Sequence, residues 1–350
     1  MNLQILDLDR DTIHYYKDCF DNNGDPKDMK SLEWQFFENK TPIPFFVDIA
    51  YDNEVKRTAA IYATFSIGVK IDDDNRIACQ SFDTITDIEY RGKGLYTKLA
   101  ANVFKKGTES GLAFVYGFPN GNSIHGFASK HNWIIMDPVP FLIRPLKTQY
   151  FTKKIKGLGF LPNVNLWNPF TRTKVKKGFT IRCEKAFPNA VNNLWINFSK
   201  NIGVAVNRNK AYLDWRYIQK PLENYCIAHC YNGENEYSGF IVYCIKEKHN
   251  GKIAYIMELI YDLNFPASGQ ELLKFAMLQI RKNNADCILS WCFKHAPNYN
   301  VFKNALFLNM SEKIRPIELH FGCKAYDKTV EKTISKRTNW YISYSDSDTV

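Results

Sequence analysis

The sequence predicts a mixed α/β (α+β) protein built from two tandem domains, each with a mixed, mostly antiparallel, twisted sheet flanked by helices. Three observations lead to this prediction. The chain has 350 residues, 45% of them apolar, which is long for one core and comfortable for two. Residues 78–101 combine a strand pattern, a glycine-rich turn and a helix pattern. The order of elements in the first half of the chain then recurs in the second half.

In the first half, apolar residues spaced three and four apart predict helices, and alternating apolar and polar residues predict strands. Asp9 or Asp11 is available to cap the first helix. We expect the last two strands to complete the first sheet. The predicted helices are 11–20, 30–38 and 95–106, and the predicted strands are 45–51, 58–69, 77–88, 112–118, 133–136 and 141–144.

The internal repeat is clearest at two Leu-x-Trp segments. The segment ending at Trp34 is followed by Pro42 and a strand, and the segment ending at Trp215 is followed by Pro221 and a strand. Each copy continues with a hairpin strand, a long strand, a helix and a buried strand, which in the second copy are 237–245, 253–263, 270–282 and 287–293. The predicted domains are therefore 1–146 and 181–350, joined by a basic linker at 147–180.

The strand pattern that begins near residue 78 ends at the turn Arg91-Gly92-Lys93-Gly94, and a helix pattern starts at Leu95. The first N–H groups of a helix have no intrahelical partner and lie at the positive end of the helix dipole. Such a turn is suited to an anion, most naturally a pyrophosphate. The two glycines allow close approach to the backbone, and the two basic residues add positive charge. A solvated turn is the alternative interpretation.

These residues resemble the GNAT superfamily of acyl-CoA N-acyltransferases. In that family a strand leads into an R/Q-x-x-G-x-G/A loop that cradles the coenzyme A pyrophosphate. Arg91 and Gly94 match this loop, whereas Tyr96 stands where the family has a second small residue. The resemblance implies that each of the two domains has a GNAT-like fold, with a mixed, mostly antiparallel sheet flanked by helices.

The resemblance extends to the following strand and helix. The family places an N-x-x-S/A motif there, and Asn120 with Ser123 matches it. Phe127 stands where a tyrosine is common, and Asn132-Trp133 replaces the Gly-aromatic pair. Acetyl-CoA is thus the implied cofactor, held by Ile85, Thr86, Arg91, Gly92, Lys93, Gly94, Leu95, Tyr96, Thr97, Asn120, Ser123 and Phe127.

The second copy lacks the basic glycine loop, because residues 262–269 read DLNFPASG. Without the arginine and the paired glycines a pyrophosphate would lose much of its site. We therefore expect only the first copy to bind coenzyme A.

Acyl transfer requires a group that polarises the thioester carbonyl and a base that deprotonates the amine. The resemblance implies that a backbone N–H near Ile85 or Thr86 polarises the thioester carbonyl. Asp83 and Asp87 are the candidate bases, because both lie on the same strand face; pairing with neighbouring basic residues is the alternative role. Phe127 cannot protonate the leaving thiolate, and His125 is a candidate substitute. No Cys-His or Ser-His arrangement indicates a nucleophile, so direct transfer is expected.

The region between 138 and 183 contains ten basic residues and no Asp or Glu. Their number equals the formal net charge of +10, so the rest of the chain is balanced. The region is either a solvated linker or a surface that attracts a polyanionic acceptor. The ten are Arg144, Lys147, Lys153, Lys154, Lys156, Arg172, Lys174, Lys176, Lys177 and Arg182.

Taken together, the sequence predicts an enzyme, an acetyl- or acyl-CoA-dependent N-acyltransferase that acetylates a primary amine of a small acceptor, free or nucleotide-linked. An amino-sugar intermediate of surface polysaccharide synthesis is the acceptor that the tandem resemblance suggests. The alternatives are an aminoacyl-tRNA-dependent transferase, for which nucleic acid would be a partner, and a catalytically inactive acyl-CoA-binding module.

The acceptor is expected between the two copies, at Trp34, Trp215 and Arg216, although core packing is the alternative role for the two tryptophans. No metal site is predicted, because Cys226 and Cys230 share a strand face that excludes His229. The absence of a long apolar run and of a signal pattern predicts a cytoplasmic protein without a membrane span.

Overall fold

The structure is a computed structural model. It describes every residue except 1, 122, 149–151, 153–159, 161, 167–174, 249, 312–314, 316–318 and 348–350.

The described residues form helices and strands that follow the predicted order. The helices are α1 (Ile13–Asn22), α2 (Met29–Phe37), α3 (Leu95–Glu109), α4 (Ile124–His131), α5 (Val191–Ser199), α6 (Lys210–Leu213), α7 (Pro266–Lys282), α8 (Tyr299–Asn304) and α9 (Lys328–Ile334). The strands are β1 (Leu3–Asp7), β2 (Phe45–Asp52), β3 (Arg57–Ile71), β4 (Asp74–Thr86), β5 (Phe114–Gly117), β6 (Ile134–Met136), β7 (Phe141–Pro145), β8 (Thr180–Cys183), β9 (Val204–Val206), β10 (Cys226–Tyr231), β11 (Tyr237–Lys248), β12 (Gly251–Tyr261), β13 (Cys287–Trp291), β14 (Leu308–Asn309) and β15 (Phe321–Ala325).

The strands form two mixed sheets, which confirms the predicted fold class. The first has the order β1-β2-β3-β4-β5-β15-β6, with β9 also paired to β3. The second has the order β14-β7-β13-β12-β11-β10-β8. Each sheet contains one parallel pair, β4 with β5 and β12 with β13, among antiparallel neighbours. The parallel pair is the place where a helix, α3 or α7, connects the two strands.

The two halves exchange strands. β7 pairs antiparallel with β13 in the second sheet, and β15 lies between β5 and β6 in the first. The prediction that residues 141–144 complete the first sheet is therefore wrong. A short apolar strand specifies burial but not which of two sheet edges it joins. Each sheet takes strands from both segments, 1–146 and 181–350, and those domain boundaries stay a prediction.

The repeat seen in the sequence is a repeat in structure. The β2-β3-β4-α3-β5 order of the first copy recurs as β10-β11-β12-α7-β13. Both long strands carry a β-bulge near the same point, at Asp83 on β4 and at Met257 on β12, where the register with the hairpin partner shifts. A bulge bends a strand and is frequent next to functional sites.

The two copies meet at the repeated tryptophans. The rings of Trp34 and Trp215 are stacked, with centroids 4.5 Å apart and an interplanar angle of 13°. Trp34 Nε1 donates to the carbonyl of Trp215 at 2.9 Å, and Trp215 Nε1 donates to the carbonyl of Trp34 at 3.3 Å. Such reciprocal contacts are those of a two-fold symmetric interface, here formed within one chain. The two tryptophans thus stabilise the contact between the copies.

Among the described helices none is long and apolar enough to cross a bilayer.

Candidate active site

A cleft opens in the first sheet where β4 and β5 separate. The two strands pair only from Cys79 to Ser81, opposite Val115 to Gly117. Beyond this point β4 continues to Thr86 beside β3 alone, and the chain after β5 turns away. The resulting cleft has a volume of about 540 Å³ and lies between β4, the start of α3 and the start of α4.

The edge of β4 that faces the cleft carries backbone groups without a strand partner. The N–H of Asp87 donates to the carbonyl of Ala59 on the β3 side at 3.0 Å. Because backbone groups alternate along a strand, those of Thr84 and Thr86 point to the cleft side, whereas those of Ile85 point to β3. Arg91 Nε reaches the Thr86 carbonyl at 3.3 Å, which agrees with this orientation. Thr84 and Thr86 thus direct their N–H groups to the cleft side, and Ile85 also lines the cleft.

The start of α3 has the geometry of an anion site. Gly92 and Gly94 have φ angles of +76° and +71°, and a Cβ on either would meet no atom within 4 Å. Gly94 is the N-cap and provides no side-chain acceptor to the first turn, which contains Leu95, Tyr96 and Thr97. The glycines are therefore required by backbone conformation, and they leave open space above the first-turn N–H groups.

The two basic residues of this turn differ in position. Arg91 lines the cleft. The ammonium of Lys93 lies 4.6 Å from the ring centroid of Tyr90, a cation–π contact at the outer side of the turn. Arg91 is thus the basic residue placed beside the cleft.

On the opposite wall, Asn120 and Ser123 bond to each other ahead of α4. The Asn120 side-chain oxygen accepts from the Ser123 N–H at 3.1 Å, and the Asn120 N–H donates to Ser123 Oγ at 3.1 Å. Both residues line the cleft. Their mutual bonds fix the turn that starts α4, so part of their role is structural.

Tyr96, which replaces the small residue of the family loop, fits because of a glycine on α4. A Cβ on Gly126 would lie 2.8 Å from Tyr96 Cε1. The Tyr96 ring packs edge-on against Phe127 at 5.7 Å and against His131 at 5.4 Å between centroids. Burial raises the pKa of Tyr96, and its buried hydroxyl has no hydrogen-bond partner within the described structure. Phe127 is buried beside it and lines the cleft.

This fit predicts an effect that depends on two positions. Gly126→Ala should destabilise the protein by about 1–2 kcal/mol, because overpacking against a fixed ring outweighs the gain in helix propensity. In a Tyr96→Ala background the same substitution should be neutral or stabilising. Urea unfolding of the four proteins in the cycle measures both effects, and equal changes in the two backgrounds would contradict the proposed contact.

Asp83 occupies the bulge of β4, with a φ of +35° that is unusual for a non-glycine residue. Its carboxylate accepts from Lys27 Nζ at 2.8 Å and from the Tyr16 hydroxyl at 2.9 Å. The side chain is 11% exposed and lines the cleft. Lys27 and Tyr16 lie 56 and 67 residues away in the chain, so no local pattern indicated them.

Asp87 and His125 lie elsewhere than expected. The buried Asp87 carboxylate binds Arg57 at 2.7 Å and accepts from the Glu89 N–H at 3.0 Å, so it caps the turn that follows β4. Both carboxylates nevertheless contact α1, Asp83 through the Tyr16 hydroxyl and Asp87 through Nδ2 of Asn23 at the end of that helix, so they lie on one side of the sheet. His125 is on the exposed side of α4. Neither residue is among those that line the cleft, so the structure supports neither as a base or acid.

Cysteine chemistry is also disfavoured at this strand. Cys79 lies on β4 below the cleft, and burial raises the pKa of its thiol to about 11. The thiol is therefore protonated near neutral pH and is a poor nucleophile. In the described part of the chain no group of three or more His, Cys, Asp or Glu residues is placed to hold a metal ion.

A second cavity, of about 170 Å³, lies between the two copies. Lys27, Gln80 and Asp83 line it from the first copy, and Tyr212 and Arg216 line it from the second. Trp34 and Trp215 form part of its wall, but their faces are covered by each other. Asp83 lines both the cleft and this cavity.

In the second copy the corresponding space is filled by the chain itself. Asn298 follows β13 as Asn120 follows β5; it is buried, and donates to the Leu259 carbonyl on β12 at 2.9 Å. Tyr261 packs on Gly269, where a Cβ would lie 2.5 Å from its ring, and its hydroxyl donates to Pro297 at 3.1 Å. These contacts leave little room for a ligand between β12 and the start of α7.

Two members of the predicted basic surface are structural. Arg144 and Lys147 are buried, and Lys147 Nζ lies 3.1 Å from Asp286. Arg182 stacks on Tyr231, with 4.5 Å from the guanidinium carbon to the ring centroid. Lys153, Lys154, Lys156, Arg172 and Lys174 lie outside the described residues, and Lys176 and Lys177 are exposed.

The fold is similar to several solved structures. A probable N-acyltransferase from Enterococcus faecalis gives a TM-score of 0.63 at 12% identity, with 94% of this chain and 74% of that chain covered. N-Myristoyltransferase from Saccharomyces cerevisiae, solved with bound myristoyl-CoA, gives 0.59 at 11% identity, with 92% and 82% covered. A tandem GNAT protein from the clavulanic acid biosynthesis pathway gives 0.57 at 11% identity, with 93% and 99% covered. No family model matches the sequence, and no curated protein matches it.

This chain has the GNAT fold, which it shares with the tandem GNAT protein, and its fold is similar to those of the two N-acyltransferases. Its arrangement is the tandem one, since it matches the tandem GNAT protein over nearly the full length of both chains. The resemblance predicted from the sequence is thus confirmed at the level of the fold.

Proposed function

We propose that this protein is an acyl-CoA-dependent N-acyltransferase that uses acetyl-CoA and acetylates a primary amine directly. The observation that carries the proposal is the position of Asp83, which lines both the β4–β5 cleft and the cavity between the copies. One space would hold the donor and the other the acceptor, with the Asp83 carboxylate bordering both.

The residues of the cleft fit coenzyme A. Gly94 leaves the first turn of α3 without a side-chain cap, with open space above it, and Arg91 stands beside that space. A pyrophosphate matches these donors in charge and position. Coenzyme A would supply the thioester, whose carbonyl the N–H of Thr84 or Thr86 can polarise.

The acceptor would enter through the cavity between the copies. Asp83 would accept a proton from its ammonium group, directly or through a water, and so release the amine for attack. As the acyl group passes to the nitrogen, the bond to the coenzyme A sulfur would break, and the proton that the nitrogen loses would reach the departing thiolate through water. Lys27 and Tyr16 donate to Asp83 and would orient its carboxylate. The protonated thiol of Cys79 supports direct transfer without an acyl-enzyme.

We further propose a small amine acceptor such as an amino sugar, either free or nucleotide-linked, and a cytoplasmic location. The cavity between the copies, at about 170 Å³, is of the size that takes one small ring. All nine cysteines are free thiols, which is typical of a reducing compartment.

Calorimetric titration with acetyl-CoA tests the donor half of this proposal. We expect binding with a stoichiometry of one per chain, because the second copy fills its own cleft with Asn298 and Tyr261. Release of the coenzyme A thiol on addition of primary amines tests the transfer. Absence of acetyl-CoA binding would refute the proposal, and a stoichiometry of two would refute the assignment to the first copy.

A further inference from the structure

Arg216 is buried because the second copy departs from the first at this point. The repeat places Arg216 where the first copy has Gln35, on the regular helix α2. In the second copy helix α6 continues as a π-helical segment, Asp214–Ile218. Single π turns inside helices are frequent at functional sites, because they re-aim side chains. Arg216 is 5% exposed and lines the cavity between the copies.

Within the part of the chain that the structure describes, the guanidinium of Arg216 is bonded to neutral groups. Its Nε donates to the Ser345 carbonyl at 3.3 Å, and its Nη2 donates to the Ser347 carbonyl at 3.0 Å. Its Nη1 donates to the Tyr225 hydroxyl at 3.1 Å. Within the described residues it forms no ion pair, in contrast to the buried Arg208, which binds both Glu258 and Asp346.

Among the described residues, the positive charge of Arg216 is buried without a counter-charge, and this lowers the stability of the folded protein. Removing a guanidinium from water without a counter-charge is strongly unfavourable, and neutral hydrogen bonds offset only part of that penalty. Arginine also keeps its proton when buried, so the charge cannot be lost by titration. A buried, ionised and unpaired arginine in the wall of a cavity is therefore best matched by an anion that enters the cavity.

The surroundings make this end of the cavity more positive. The ammonium of Lys220 lies 3.4 Å from the Tyr225 hydroxyl that Arg216 also contacts. Glu223 Oε1 is 3.9 Å from Lys220 but only 2.6 Å from Lys246, so its charge is shared. The carboxylates of the cavity wall, Asp28 and Asp83, belong to the first copy and are bonded there.

We infer that Arg216 forms an anion subsite, and that the acceptor is a small amine that also carries a carboxylate or a phosphate. The amine would lie toward Asp83 and the anionic group toward Arg216. The acceptor part of this inference rests on the proposed acyltransferase function, whereas the anion subsite does not. Carboxylate and phosphate share the chemistry that a guanidinium recognises, since both accept paired hydrogen bonds from it.

The first experiment measures anion binding without any reaction. Phosphate and acetate are titrated calorimetrically into the protein, at constant ionic strength set with chloride. We expect one of them to bind, and Arg216→Gln to lower its affinity at least tenfold. Arg182→Gln removes the same charge from the surface and should leave the affinity unchanged. The stronger of the two anions indicates which group the acceptor carries. Equal affinities in wild type and Arg216→Gln, or no binding of either anion to the wild type, would overturn the subsite.

The second experiment needs only the wild type, so it is independent of how well an Arg216 variant folds. Acetyl transfer is compared within matched pairs of amines, namely glycine with methylamine and phosphoethanolamine with ethanolamine. We expect the anionic member of one pair to have a kcat/KM at least tenfold higher. Equal or higher values for the neutral members would overturn the acceptor class. If phosphate or acetate binds at Arg216 but no amine in the assay is acetylated, the subsite stands and the acyltransferase proposal fails. Arg216→Lys, which keeps the charge but loses the planar fork, should lower the preference with the acetyl-CoA KM unchanged.

Discussion

Substitution of Gly94 by Asp is expected to weaken acetyl-CoA binding about a hundredfold while leaving the fold intact. A carboxylate at the N-cap of α3 would occupy the space above the first-turn N–H groups and repel the pyrophosphate. We expect a loss of about 3 kcal/mol, which is roughly a hundredfold in Kd. Asp adopts a left-handed φ more readily than most residues, and a negative charge is favourable near a helix N-terminus, so the strain of a φ of +71° should be small. Calorimetric titration gives the affinity, and thermal unfolding gives the stability.

Gly111 provides a matched control at the other end of the same helix. It has a φ of +72°, and a Cβ there would also meet no atom within 4 Å. Gly111→Asp therefore introduces the same side chain into the same backbone conformation, away from the cleft. It should bind acetyl-CoA as the wild type does. Equal affinities for Gly94→Asp and the wild type would remove the pyrophosphate site from the start of α3.

The second large effect is expected for Asp83→Asn, which keeps the shape of the side chain but removes the base. General base catalysis contributes about 10²–10⁴ to a rate, so kcat should fall within this range. The affinity for acetyl-CoA should change little, because the pyrophosphate would lie at α3 rather than at the bulge. Steady-state kinetics with an accepted amine, together with calorimetry, separates the two effects.

Asp28→Asn is the control for this substitution, because it removes a carboxylate from the same cavity. Asp28 caps α2 through the Ser31 N–H at 2.9 Å, and Asn is an equally good cap. Its kcat should stay within about twofold of the wild type, since this carboxylate is not assigned to catalysis. If Asp83→Asn keeps its kcat but unfolds at a lower temperature, Asp83 serves only as the ion-pair partner of Lys27.

Asp83 and Asp87 illustrate how far a strand pattern can locate a site. The alternation along 77–88 placed both carboxylates on one face, and only one of them reaches the cleft. The β-bulge lies at Asp83, which borders the cleft, whereas Asp87 is bound by Arg57, which is distant in sequence. A bulge depends on how two strands pair and leaves no clear mark in the sequence of one strand.

The repeated Leu-x-Trp segments illustrate the same difference for the acceptor site. The sequence alone shows where each Leu-x-Trp segment lies in its copy, and it shows that Arg216 replaces Gln35. The sequence does not show that Trp34 stacks on Trp215, because this contact depends on the orientation of one copy relative to the other. The tryptophans consequently serve mainly as the contact between copies, and Arg216 is the member of this set that the cavity exposes to a ligand.

The sequence by itself determined the elements and their order, the tandem repeat and the glycine turn before α3. These features depend on local periodicity and on glycine's access to positive φ, both of which are written in neighbouring residues. Only the tertiary structure decided that β7 and β15 exchange sheets, that Asp83 borders two cavities, and that Asn298 and Tyr261 fill the second cleft. Each of these depends on contacts between residues far apart in the chain, whose geometry is set by packing rather than by local pattern.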